Sequence, residues 1–142
     1  MPSFASTIPD LQAAGPVVEL KLAVGPEVEA AIQAEGQRAG PPIPAVAMID
    51  TGASVSVVRE GLPSQLGLHP IGVSNVSTPS STNIPCYRYL LRLMFPNQVV
   101  IEAMVLELPL RGQHIQCLIG RDVLARAVFV YIGHEGLFSL SF

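Results

Sequence analysis

Three short segments constrain this chain most: IGVSNVS (71–77), CYRYLLRLMF (86–95) and QVVIEAMVLEL (98–108), with turn-forming residues between them. Side chains that change character at every second residue describe a strand with two unlike faces. In CYRYLLRLMF, Arg88 and Arg92 share one face with Leu90 and Met94, while Tyr87, Tyr89, Leu91, Leu93 and Phe95 line the other. TPSSTNIP (78–85) is a polar tip rich in turn residues, and Pro96-Asn97 reverses the chain again. Residues 71–106 therefore read as two consecutive hairpins, which commits the chain to a mostly β architecture.

The flanking segments agree. PVVELKLAV (16–24) alternates Val18, Leu20, Leu22 and Val24 against Glu19 and Lys21, a strand with one wet face. Pro26, with Glu27 and Glu29 in the first turn, opens a short helix expected over 26–38 and stopped by Gly40-Pro41-Pro42. IPAVAMI (43–49) is an almost wholly apolar strand, and SVSVV (54–58) follows as another. REGLPSQLGL (59–68) reads as a helical turn closed by Gly67. LPLRGQHIQ (108–116) is a loop running into the short buried strand CLIG (117–120), and RDVLARA (121–127) is a short helix. VFVYI (128–132), GHEG (133–136) and LFSLSF (137–142) form a last hairpin. Residues 1–15 are expected to be a flexible N-terminal segment, and residues 16–142 a single domain.

A chain of 142 residues can bury a core without disulfides or metal. Its net charge of −3 lacks the basic footprint of a nucleic-acid binder. VVIEAMVLELPL (99–110) is interrupted by Glu102, Glu107 and Pro109, so no membrane span is expected. The first positive side chain is Lys21 and no signal-like apolar core precedes it, so a cytoplasmic location is expected, with Met1 taken as the native start. Cys86 and Cys117 form no C-x-x-C and are expected to be reduced, buried thiols. His69, His114 and His134 are scattered without ligand spacing; neither a metal nor another cofactor is expected.

The sharpest local feature is AMIDTGAS (47–54), in which a buried strand delivers Asp50 into a turn of small residues. A carboxylate there costs free energy unless it is hydrogen-bonded, paired or protonated. Alone, Asp-Thr-Gly could be an Asx turn closing a strand. Here it precedes Ala53-Ser54, and the motif Leu118-Ile119-Gly120-Arg121-Asp122 lies about half the chain downstream. Between the two sits the polar-tipped hairpin.

This set resembles the retropepsin-like aspartic proteases, the retroviral proteases and their cellular and bacterial relatives, over about residues 16–142. The resemblance implies a closed, single-lobed acid-protease β-barrel with short helices, in which 26–38 is an inserted helix and about 71–95 is the flap. It implies that Asp50 is catalytic, that Thr51 braces the active-site loops across a dimer, and that Gly52 lets the backbone approach substrate. Ala53, Ser54 and the flap-tip residues Thr78, Pro79, Ser80, Ser81 and Thr82 are the implied substrate contacts. Leu118, Ile119 and Gly120 are the implied packing behind the catalytic loop, with Arg121 and Asp122 as polar support. Two departures stand out. Ser54 and Val55 occupy positions where retroviral enzymes carry acidic residues that hold substrate backbone, and the tip 78–83 contains no glycine.

The chemistry fits this reading. Hydrolysis without metal or nucleophilic side chain needs an activated water, and two nearby carboxylates that share one proton supply both base and acid. The chain has one Asp-Thr-Gly, so the second carboxylate is expected from a second copy, in a homodimer. The expected substrate is an extended peptide, and the apolar strand LFSLSF (137–142) is a candidate intersubunit strand. The competing expectation is a non-catalytic peptide-binding or dimerisation module on the same fold.

Overall fold

The computed structural model describes residues 2–111 and 114–142. Its larger sheet is a ring: β2 (Val17–Ala23), β3 (Ile43–Ile49), β8 (Cys117–Ile119), β4 (Val57–Arg59), β7 (Val100–Leu108) and β6 (Ser81–Met94), with β6 returning to β2. β5 (Gly72–Thr78) hangs outside the ring on β6. β3–β8 and β4–β7 are parallel pairs, and the other pairings are antiparallel. The fold is thus mostly β, a closed barrel with one projecting hairpin.

The alternation seen in the sequence sorts side chains to the two faces of this ring. Val18, Ala47, Cys117 and Val58 sit in register across β2, β3, β8 and β4, Val105 and Tyr89 pair across β7 and β6, and all six are buried in the main core. One residue along, Met48, Leu118, Val57, Leu106, Arg88 and Gly72 form the matching row on the other face. Part of that second row builds a smaller apolar cluster of Val57, Cys86 and Leu106, flanked by Val55, Val76, Leu108 and Leu118.

Both hairpins are present, with sharper turns than the sequence suggests. The tip expected over 78–85 is reduced to Pro79-Ser80, because strand pairing resumes at Thr78↔Ser81. Between Val76↔Ile84 and that pair the register shifts, and Asn83 takes a left-handed φ of 55°. Asparagine tolerates this region better than most side chains, so Asn83 bends the β5–β6 hairpin without a glycine. The β6–β7 turn uses left-handed Asn97 and Gln98 in the same manner.

Four expectations are corrected. Residues 1–15 are not a loose tail: β1 (Ser3–Thr7) pairs with β10 (Leu137–Ser141), and α1 (Leu11–Ala14) buries Leu11. Phe4 is buried and stacks on Phe95 with ring centroids 5.8 Å apart. The terminal strand is not an open edge, because β10 is flanked by β1 on one side and β9 (Val128–Ile132) on the other. The inserted helix α2 spans Pro26–Ala34 rather than 26–38, since Gly36 at φ 76° closes it. The Gly36 and Gln37 amides donate to the Gln33 and Ile32 carbonyls, satisfying the last turn. Finally, β4 starts only at Val57, because Ser54–Ser56 belong to the loop after Asp50. Gly112 and Gln113, in the loop expected over 108–116, lie outside the described residues.

Candidate active site

Asp50 follows the last residue of β3, and Gly120 follows the last residue of β8. The two strands are parallel with Ile49↔Ile119 in register, so both chains leave the barrel side by side. The Asp50 amide donates to the Ile119 carbonyl at 2.9 Å. The Asp50 side chain is half-buried, and its Oδ1 accepts the Gly52 amide at 2.9 Å. The first turn therefore holds one carboxylate oxygen with a backbone donor. A side chain on Gly52 would crowd that same oxygen at 3.1 Å.

The loop that follows is clamped from the β8–α4 side, where α4 is Arg121–Leu124. The Arg121 amide donates to the Ala53 carbonyl and its guanidinium to the Thr51 carbonyl, each at 2.8 Å. Gly120 meets the loop so closely that a Cβ there would lie 2.7 Å from the Val55 carbonyl carbon and 2.9 Å from its oxygen. Only glycine fits that approach. Ser56 completes the clamp: its hydroxyl donates to Asp122 Oδ1 at 2.8 Å and accepts the Gly120 amide at 2.9 Å. It is fully buried, the one buried polar side chain of the described core.

Beside this loop lies a cleft of about 650 Å³. One wall is Gly52–Val55, the opposite wall is Ser74–Pro79 of the β5–β6 hairpin, and the floor is Val57, Met104, Leu106, Leu108 and Leu118, with Arg88 at its side. The floor rests on the smaller apolar cluster, so the cleft is an apolar trough roofed by a hairpin. Such a shape suits an extended peptide, whose backbone can pair with strand edges while alternate side chains enter pockets.

Of the residues singled out in the sequence, Gly52, Ala53, Ser54, Thr78, Pro79 and Leu118 line this cleft. Ser80 and Thr82 sit at the tip outside it, and Asp50 and Thr51 stand next to its wall. Ile119 is buried in the main core. Tyr87 and Tyr89 do not line the cleft. Tyr87 is exposed, while Tyr89 is buried with its hydroxyl donating to Glu107 Oε1 at 3.4 Å. Burial first, and Glu107 second, raise the Tyr89 phenol above its ordinary range. Burial also raises the Cys86 and Cys117 thiols, the latter to about 12 with Asp122 adding to the shift. Among the described residues, no group of three or more His, Cys, Asp or Glu could hold a metal ion, and no helix is long and apolar enough to cross a membrane.

Sequence reasoning missed Ser56 and the flooring residues Met104, Leu106 and Leu108. Ser56 was hidden inside what reads as a plain strand. The floor was encoded in the alternation of β7, whose second face has no reason to be apolar unless something covers it.

The model of the aspartyl protease family matches residues 18–123, and the chain belongs to that family. Within it, the fold is retropepsin-like. A retropepsin-like aspartic protease from Rickettsia conorii superimposes with a TM-score of 0.51 at 13% identity, over 99% of this chain and 93% of that one. A foamy viral protease–reverse transcriptase, solved with an RNA/DNA hybrid, gives a TM-score of 0.46 at 16% identity over 78% of this chain and 12% of that one. The EIAV protease, solved with an inhibitor, gives 0.40 at 17% identity over 58% and 76%. No curated protein matches the sequence.

Proposed function

We propose that this chain is an aspartic endopeptidase that works as a homodimer, with the two Asp50 carboxylates facing each other across a two-fold axis. The observation that carries the reading is a solitary carboxylate on a braced loop beside an apolar, flap-roofed cleft. Asp50 Oδ1 is held by the Gly52 amide. The nearby Asp122 is already engaged by Ser56, and no carboxylate lines the cleft among the described residues. One chain therefore supplies one half of a dyad.

Two such carboxylates a few ångström apart cannot both ionise, so the pair holds one proton. The ionised member takes a proton from water as it attacks the scissile carbonyl; the protonated member hydrogen-bonds the carbonyl oxygen and then supplies the leaving nitrogen. Thr51 braces the paired loops, and Ala53, Ser54, Thr78 and Pro79, which line the cleft, hold the peptide backbone. Turnover should be fastest at mildly acidic pH, where the coupled pair carries a single proton.

The test is cleavage of a diverse peptide mixture by wild type and Asp50→Asn, with products read by mass spectrometry. The substitution preserves shape and removes the ionisable pair. Cuts by wild type alone support the dyad. Equal cutting by Asp50→Asn sinks it, and a folded dimer that cuts nothing favours a peptide-binding module on this fold.

A further inference from the structure

Arg88 is the cation of the cleft. It lies on β6, in the cross-barrel row that also contains Leu106, Val57 and Leu118, so its side chain rises from the same face as the apolar floor. Directly opposite, on β5, the paired residue is Gly72. The guanidinium lies over that glycine. A Cβ built there would fall 2.9 Å from Arg88 Cζ and Nε and would collide with Nη2. Gly72 is thus a seat that lets the planar group lie flat on the strand.

Arginines elsewhere on the barrel are committed to the chain's own oxygens. Arg59 donates to the Leu110 and Ile115 carbonyls, Arg92 to Glu102, Arg121 to the Thr51 carbonyl and Arg126 to the Glu102 carbonyl. The Arg88 side chain has no hydrogen bond or ion pair among the described residues; its Nε is buried without a partner, as is that of Arg92, but Arg92 still reaches Glu102 through Nη2. A buried donor without a partner is unfavourable, and a guanidinium offers a fixed fork of donors matched to a carboxylate. No carboxylate lines the cleft among the described residues.

We propose that Arg88 is a specificity residue that pairs with a carboxylate of the bound peptide, an Asp or Glu side chain whose stem lies on Leu106. This deepens the peptidase reading and rests on the cleft being the peptide site. An apolar floor with one cation at its side selects a residue that is part hydrocarbon and part anion. A glutamine isostere leaves the fork half used, and a lysine meets like charge.

The test measures binding, so that it does not depend on turnover. Fluorescein-labelled, C-terminally amidated octapeptides of apolar residues, with Glu or Gln placed at each position in turn, are titrated onto Asp50→Asn protein. The same peptides are titrated onto that protein carrying Arg88→Gln or Gly72→Ala. At one position Glu should bind about tenfold or more tighter than Gln, the scale of a charge-assisted hydrogen bond. The contrast should vanish in Arg88→Gln. It should shrink in Gly72→Ala, which keeps the charge and moves only the far end of a flexible side chain. A third set, with Gln throughout and a free C-terminus, distinguishes the sources: tighter binding of that set alone assigns Arg88 to the peptide's terminal carboxylate and overturns the side-chain assignment. Equal binding of Glu and Gln sets at every position, no binding of either, or a Glu preference that survives Arg88→Gln overturns the proposal. A contrast that persists while wild type cleaves nothing overturns the peptidase reading and leaves the role of Arg88 standing. Cleavage without the contrast does the reverse.

Discussion

Ser56→Ala should be among the most damaging one-atom deletions in this protein, although the residue carries no charge. Its hydroxyl is fully buried and makes two bonds, to the Asp122 carboxylate at 2.8 Å and from the Gly120 amide at 2.9 Å. Alanine keeps the packing and strands both partners. The Gly120 amide is buried and cannot turn to water, so its loss lies near the middle of the range for an orphaned donor, about 2 kcal/mol. Asp122 is half-buried, and solvent can replace part of its bond, so about 1 kcal/mol is assigned there. The sum of about 3 kcal/mol, with a urea slope of about 2 kcal/mol/M, lowers the unfolding midpoint by about 1.5 M. The assay is urea denaturation at one fixed protein concentration, because the proposed dimerisation would make the midpoint depend on concentration. Ser54→Ala, which removes an exposed hydroxyl two residues earlier, should stay within about 0.5 kcal/mol of the parent. A double-mutant cycle with Asp122→Ala should return a coupling of about 1 kcal/mol. If Ser56→Ala unfolds within about 0.5 kcal/mol of the parent at an unchanged slope, the clamp contributes nothing and the argument fails.

Other perturbations probe the remaining supports. Phe4→Ala removes a buried ring stacked on Phe95 and should destabilise by about 3 kcal/mol, measured by the same titration. Parent-like stability would mean that β1 is not docked. Gly120→Ala forces a methyl against the Val55 carbonyl and should cost about 2 kcal/mol or more while displacing the Asp50 loop, so thermal stability and any peptide cleavage should fall together. The Cys117 thiol, raised to about 12 by burial and then Asp122, keeps its proton in the fold, whereas an unfolded thiol releases it near about 8.5. Its contribution is therefore complete below the unfolded value and is lost as pH rises toward the folded one. Melting temperature should decline through that alkaline window, and Cys117→Ala should flatten the decline, leaving the part due to the raised Cys86 thiol and Tyr89 phenol. An unchanged slope would refute the assignment.

Elements with a strong local signal were legible in the sequence. PVVELKLAV and IPAVAMI became β2 and β3, and the two hairpins came out with β6 and β7 in register over Arg88↔Leu106 to Met94↔Val100. The apolar–apolar–Gly motif read as packing behind the loop, and Gly120 does meet Val55 at backbone distance. Features whose cause lies far along the chain were hidden. SFAST has too little apolar content to announce a strand, and it becomes one because β10 offers a paired edge and Phe95 a ring to stack on. Ser56 has the composition of an ordinary strand residue; its meaning comes from Asp122, 66 positions later. Gly72 and Arg88 matter to each other only once β5 and β6 are in register.

The pairing of β1 with β10 also sets an order in time. About 130 residues separate Thr7 from its partner Leu137. At a synthesis rate of about 10 residues per second, β1 exists for roughly ten seconds before its partner strand has been made. During that interval Phe4 has no β10 beside it. Phe95 also waits for Phe142, whose ring comes within 5.7 Å of it in the finished fold. The β5–β6–β7 segment, joined by short turns, can form by itself in that interval. The β5–β6–β7 meander is thus older in each newly made molecule than the β1–β10–β9 sheet, which closes last.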